Sequence, residues 1–173
     1  MDGAGSLRVS PQRRQGRALT VLRVGLISDT HGLMRPSALR FLHGCDHILH
    51  GGDIGKPQIL ETLAAIAPLI AVRGNNDTGE WAQNLPETAQ IQLGGLAVYL
   101  IHDLAQLAID PTAARVDVIV SGHSHKPGEA RRDGVLYVNP GSCGPRRFSL
   151  PISIAELRIE NGLASAHFTQ LAE

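Results

Sequence analysis

The chain has 173 residues, the span of one ordinary domain, and no apolar run of membrane-spanning length. Lys and Arg total 16, matched by 16 Asp and Glu, and aromatic side chains make up only 3%. That balance argues against a general electrostatic grip on nucleic acid or an acidic membrane, and the scarcity of rings argues against a stacking platform for single strands.

A small phosphorylated substrate needs only a locally positive site, so it remains compatible. The two cysteines, Cys45 and Cys143, belong to no paired motif and read as reduced thiols of a cytoplasmic protein. Residues 1–19 are rich in Gly, Ser, Arg and Gln without an apolar period, and read as a flexible tail ahead of one domain over 20–173. Arg13 to Ile27 has the basic-then-apolar order of a leader peptide. Arg23 interrupts it, however, and it runs into Ser28-Asp29 rather than a small-residue cleavage site.

From Leu22 the chain alternates. Leu22 to Ser28 reads as a buried strand ending in the polar cluster Ser28-Asp29-Thr30-His31-Gly32. Pro36 to His43 reads as a short helix with proline in its first turn. Ile48-Leu49 leads into Gly51-Gly52-Asp53, and Lys56 to Ile66 places Ile59, Leu60, Leu63 and Ile66 at helical spacing. Leu69 to Val72 is strand-like and ends in Gly74-Asn75-Asn76-Asp77. Strand, polar loop and helix in repetition imply parallel strands with right-handed crossovers.

The later chain reads as mostly antiparallel. Ala89–Leu93 and Leu96–Ile101 flank Gly94-Gly95, a two-residue hairpin turn. Val116–Val120 ends in Gly122-His123-Ser124-His125, and Val135–Val138 follows Asp133-Gly134. Ile152–Ile159 and Leu163–Thr169 are joined by Asn161-Gly162. The fold class is therefore α/β (α+β): two packed β-sheets flanked by helices, with no second domain.

The polar clusters fall where such folds bind ligands, beyond the carboxyl ends of strands. Asp29 and His31 follow the first strand, Asp53 the second and Asn75 the third, while His102, then His123 and His125, close two later strands. Each fragment alone is commonplace, but the ordered set is not. Two carboxylates, one amide and four imidazoles form an oxygen-and-nitrogen donor set suited to Mn²⁺, Fe, Zn²⁺, Co²⁺ or Ni²⁺, with Mn²⁺ foremost. Seven donors exceed one ordinary site and suit two ions sharing a carboxylate.

With these residues the chain resembles the calcineurin-like metallophosphoesterase superfamily, in particular the small YfcE-type phosphodiesterases. The motifs are SDTHG, HGGD, GNND, His102, GHSH and NPGS, spread from about Leu22 to Ala166. The resemblance implies a β-sandwich flanked by helices and a metal-bridging hydroxide that attacks phosphorus. It implies one ion held by Asp29, His31, Asp53 and His125, and a second held by Asp53, Asn75, His102 and His123. Asp53, Asn75 and His102 are the catalytic candidates. It also implies dimers or larger assemblies in many members.

Two positions depart from the family pattern. Asn76 stands where many members carry a His that assists the leaving group, and Asp103 follows His102 where Gly is usual. Asn76 can donate a hydrogen bond but cannot serve as a useful acid, which favours substrates with good leaving groups. Asp103 either orients His102 and tunes the ion or points to solvent. His50 reads as a buried, hydrogen-bonded residue, Arg73 as the partner of Asp77 or another local acid, and Asn139 and Ser142 as loop-shaping residues. The alternative function is a non-catalytic interaction scaffold, since the small subunit of the retromer coat is similar in fold. A scaffold is free to lose metal ligands, and all seven are retained.

Overall fold

The computed structural model describes residues 21–172; the tail read over 1–19 lies outside them. The chain forms β1 (Leu22–Ile27), α1 (Pro36–Leu42), β2 (His47–His50), α2 (Pro57–Ala64) and β3 (Leu69–Ala71), then a short 3-10 helix over Glu80–Asn84. There follow β4 (Thr88–Leu93), β5 (Leu96–Ile101), a 3-10 turn over Leu104–Gln106, β6 (Val118–Val120), β7 (Gly128–Arg132) and β8 (Val135–Asn139). The last hairpin is β9 (Ser153–Glu160) and β10 (Leu163–Gln170).

These strands make two five-stranded mixed sheets, ordered β10-β9-β1-β2-β3 and β4-β5-β6-β8-β7. The first half behaves as the alternation predicts, with β1, β2 and β3 parallel. The second half departs from the antiparallel expectation: β5, β6 and β8 run parallel, and only the edges β4 and β7 are antiparallel. The final hairpin does not join that second sheet. Strand β9 crosses back to pair with β1, so the first sheet is closed by the end of the chain.

Alternation explains the layers. One face of each sheet contributes to a shared core that includes Val24, Leu26, Leu49, Val98, Leu100, Val118, Val120, Leu136 and Leu157. The opposite face of the first sheet is covered by α1 and α2 through Leu42, Ile59 and Leu63, packed with Ile27 and Ile48. Among the described residues the second sheet has no such helices. Its outer residues Ile101, Ile119 and Val135 are covered by Leu104, Leu107 and Ile109 from the segment after β5. Both cysteines are free and buried.

Turn chemistry sets the registers. Gly94 and Gly95 both take positive φ, 56° and 85°, and pair Leu93 with Leu96, as a type I′ turn requires. Strand β7 carries no strand signal in its sequence, because all five of its residues are exposed and it has no apolar alternation. Its antiparallel ladder with β8, through Asp133-Gly134, defines it instead.

Candidate metal centre

The sheets meet with the carboxyl ends of β1, β2, β3, β5 and β6 at one rim, and the loops leaving them are tied together by their own backbone. Beyond β1 and β2 the ladder continues: Asp29 N donates to Gly52 O (3.0 Å), His31 N to Asp53 O (2.9 Å) and Gly32 N to Ile54 O (2.7 Å). Asp77 binds the third loop to the second by accepting from Gly74 N, Ile54 N and Gly55 N. It thus serves backbone amides rather than Arg73, whose guanidinium lies 2.6 Å from Glu87. Gly74 must be glycine, because a Cβ there would run into the backbone nitrogen and Oδ1 of Asp53.

The second sheet locks onto this platform. The His102 ring nitrogen Nδ1 meets Gly51 O at 2.7 Å, and His123 N donates to Asp29 Oδ2 at 3.1 Å. Ser142 Oγ donates to Asp29 O, and Asn139 Nδ2 donates to Gly122 O at 2.7 Å, so both shape loops as expected. Asp29, His31, Asp53, His123 and His125 all have positive φ, between 45° and 65°. Non-glycine residues in that region carry strain of about 1 kcal/mol or more each, and such strain gathers at functional sites.

All seven side chains singled out by sequence converge. Around Asp29, His125 Nε2 lies 3.3 Å from Asp29 Oδ1, and the His31 and His125 rings stack with centroids 5.4 Å apart. Across the site, Asn75 Oδ1 is 3.0 Å from His102 Nε2 and 3.1 Å from His123 Nδ1. Asp53 stands between these groups. Its Oδ2 is 3.7 Å from His31 Nε2 and its Oδ1 is 3.5 Å from His102 Nε2.

The donor set fits divalent cations on two counts. Asp29 Oδ1 and His31 Nε2 are buried with no hydrogen-bond partner, an arrangement that costs free energy unless a cation or proton fills it. Secondly, a neutral His102 that donates from Nδ1 to Gly51 presents a lone pair at Nε2, facing the amide oxygen of Asn75. A backbone carbonyl fixing one ring nitrogen so that the other can bind metal is a recurrent device. Asp29, His31 and His125 offer one ligand atom each within 4.8 Å of one another, and so do Asp29, Asp53 and His102.

Electrostatics follow from burial. Burial pushes the Asp29 carboxyl up to about 6, against a hydrogen bond from Ser28. It pushes His125 down to about 4, helped by His31 and Arg147, and also lowers His31. Burial would also raise Asp53, but hydrogen bonds from His102 and Asn76 prevail and hold it well below the usual carboxylate range. His102 is raised despite burial, because the Asp53 carboxylate and Gly51 carbonyl favour its protonated form.

Several roles were only half legible in the sequence. Asn76 donates to Asp53 from both its backbone N (2.9 Å) and its Nδ2 (2.6 Å), so its amide positions the central carboxylate. Asp103 caps Ala105 N with Oδ1, and its Oδ2 lies 3.9 Å from His123 rather than beside His102. His50 is fully buried, with Nδ1 accepting from Gly52 N and Nε2 set against Thr30 Oγ1 at 3.0 Å; burial lowers its pKa to about 3. Ser28 and Asp77 sit inside the quoted motifs, but the sequence does not show what they hold: Ser28 Oγ donates to Asp29 Oδ2, and Asp77 accepts from three backbone amides.

The family model described as "calcineurin-like phosphoesterase superfamily domain" matches residues 22–162. A probable metallophosphoesterase of Methanothermobacter thermautotrophicus is 32% identical over 149 residues, covering 79% of this chain and 86% of that protein. Among solved structures, an archaeal phosphodiesterase superposes with a TM-score of 0.72 at 22% identity, covering 86% of this chain and 99% of the other. Vacuolar protein sorting 29 of Cryptosporidium parvum gives a TM-score of 0.70 at 18% identity over 88% and 99% of the two chains, a likeness of fold. With the family model spanning most of the chain and the metal-type donor set gathered at its rim, this protein belongs to the calcineurin-like phosphoesterase superfamily.

Proposed function

We propose that the chain is a dinuclear phosphodiesterase of the reducing cytoplasm, acting on a small phosphorylated ester and using Mn²⁺ in preference to Fe, Zn²⁺, Co²⁺ or Ni²⁺. The observation that carries the dinuclear reading is Asp53, whose two carboxylate oxygens face different imidazoles, His31 on one side and His102 on the other. Asp29, His31 and His125 would hold one ion, Asn75, His102 and His123 the other, with Asp53 shared. Bound there, two divalent ions would supply the charge that makes water a competent nucleophile at neutral pH and offsets charge growing on the phosphoryl oxygens.

The chain's own residues prepare that chemistry. Asn76 fixes the Asp53 carboxylate through two hydrogen bonds, and Gly51 O fixes the His102 ring. With the Asn76 amide engaged in this way, an ester whose leaving oxygen departs without protonation, such as an aryl oxide, is the expected best substrate. His102 and His123 line an open cleft of about 530 Å³, wide enough for an ester substituent. The two buried, free thiols support a reducing compartment, and no helix among the described residues is long and apolar enough to cross a membrane.

The test is metal content together with hydrolysis of bis(p-nitrophenyl) phosphate in added Mn²⁺. We expect two ions per chain in the wild type. Asp53→Asn should lose bound metal and fall to background hydrolysis with its circular dichroism unchanged. Full activity in Asp53→Asn would overturn the shared-carboxylate role. A wild type that binds metal yet turns over no mono- or diester would favour the scaffold reading.

A further inference from the structure

The rim opens on both sides of His123. On one side lies the cleft of about 530 Å³; on the other, a groove of about 380 Å³ runs past Lys126, Arg132 and Tyr137. His123 and Asp103 line both hollows, so this pair, 3.9 Å apart, forms the ridge between them. A phosphorus bound at the ridge therefore has room for a substituent on each side, which a diester has and a monoester lacks.

The two hollows differ in chemistry. The larger is lined by the neutral hydrogen-bonding groups of Thr78, Gln83 and Gln106, and its cation Arg73 is neutralised by Glu87 at 2.6 Å. In the second groove, Lys126 and Arg132 are exposed and neither forms an ion pair among the described residues. Arg132 rests on the Tyr137 ring, 5.2 Å from its centroid. Two carboxylates also border this groove, Asp103 at its ridge beside His123 and Glu129 on the strand that carries Arg132, and Glu129 lies on the other face of that strand from Arg132. It pairs opposite Val138, whose side chain belongs to the core between the sheets, whereas Arg132 pairs opposite Val135 on the outer face shared with Tyr137.

We propose that the substrate is a phosphodiester with a second anionic group on one arm. The scissile phosphate lies at the His123–Asp103 ridge, a hydrogen-bonding arm fills the larger cleft, and the anionic arm lies along Lys126 and Arg132. The assignment rests on the phosphodiesterase reading and adds to it a charge requirement distant from the metals. Two cations without an ion-pair partner in one groove, one of them resting on an aromatic ring, suit a second phosphate more than a neutral substituent.

Its test compares the p-nitrophenyl diester of thymidylate with and without a second phosphate on the sugar, using Mn²⁺-loaded wild type, Lys126→Ala, Arg132→Gln and the double variant. The wild type should prefer the doubly anionic diester through KM. Each single variant should lose about tenfold of that preference, and the double variant should approach parity. The preference should also weaken as salt is raised. Calorimetric binding of thymidine bisphosphate against the monophosphate gives the same comparison without turnover. Preference in binding with no hydrolysis of any ester would sink the phosphodiesterase reading and leave the groove assignment standing. Equal affinity for the two nucleotides in the wild type, or a preference that survives in the folded double variant, would overturn the groove assignment.

Discussion

Asp29, with no exposed surface, and His123, with 47% of its side chain exposed, lie on opposite sides of the same proposed centre. The Asp29 side is desolvated in advance: Asp29 Oδ1 and His31 Nε2 are buried without a hydrogen bond, and Asp29, His31 and His125 all hold positive φ. The His123 side is already partnered, with Asn75 Oδ1 shared by His102 and His123, and it faces the open clefts. One side has free energy to recover on taking up a cation; the other has access to solvent and substrate. With two ions bound as proposed, the one beside Asp29 should be held more tightly than the one beside His123.

The largest effect should come from Asp29→Asn, with hydrolysis falling to background and bound metal lost. Its metal-free form should nevertheless unfold at no lower denaturant concentration than the metal-free wild type, because the substitution removes a buried charge beside His125. A metal-free variant less stable by more than about 1 kcal/mol would break the contrast, by showing that Asp29 is held for stability. Next in size is chelation. If two ions are each present at about a hundred times their dissociation constant, removing both should lower the melting temperature by about 10–20 °C. One ion should leave before the other as chelator is titrated; simultaneous loss would argue against unequal sides.

His123→Asn removes one proposed ligand on the exposed side and should lower kcat/KM and the content of the second ion, with the ion beside Asp29 retained and a smaller loss than in Asp29→Asn. Its stability should stay within about 0.5 kcal/mol of the wild type, as for an exposed position. A loss as deep as that in Asp29→Asn would erase the distinction between the two sides. The smallest effect lies away from the rim. Burial would raise the Glu156 pKa, but hydrogen bonds from Arg23 and Arg158 outweigh it and lower it below the ordinary 4.5. The pair's stabilisation is present above that ordinary value and disappears as pH falls through the folded one. Glu156→Gln should therefore lose about 0.5–1 kcal/mol at neutral pH, given its part-exposed arginine partners, and nothing in strong acid. Hydrolysis should be unchanged; a change would mean the sheet itself transmits strain to the rim.

The reach of the sequence differed by residue. Pro36, Gly94-Gly95 and Asn161-Gly162 mark elements whose geometry is local, and each lies where the pattern places it. The Asp, Asn and His residues after successive strands pointed to one rim, and their side chains do converge there. Asn76 was legible as a hydrogen-bond donor but not as the partner of Asp53, because that contact joins residues 23 positions apart. Of the two partners open to Arg73, Asp77 or another local acid, the fold selects Glu87, because the Asp77 oxygens reach the amides of Ile54 and Gly55, 23 and 22 positions away in sequence.

The sequence by itself determined the strand–loop–helix rhythm, the turn positions and the kinds of ligand atom on offer, since these depend on period, backbone freedom and side-chain chemistry. The tertiary structure alone decided that β9 returns to close the first sheet and that β5, β6 and β8 run parallel. Strand order is a non-local choice among faces of similar hydrophobicity, which no short window records. It also decided which oxygen of Asp53 faces which imidazole, and that Lys126 and Arg132 share a groove beside His123. Those relations arise only when the two sheets pack and bring their strand ends to one rim.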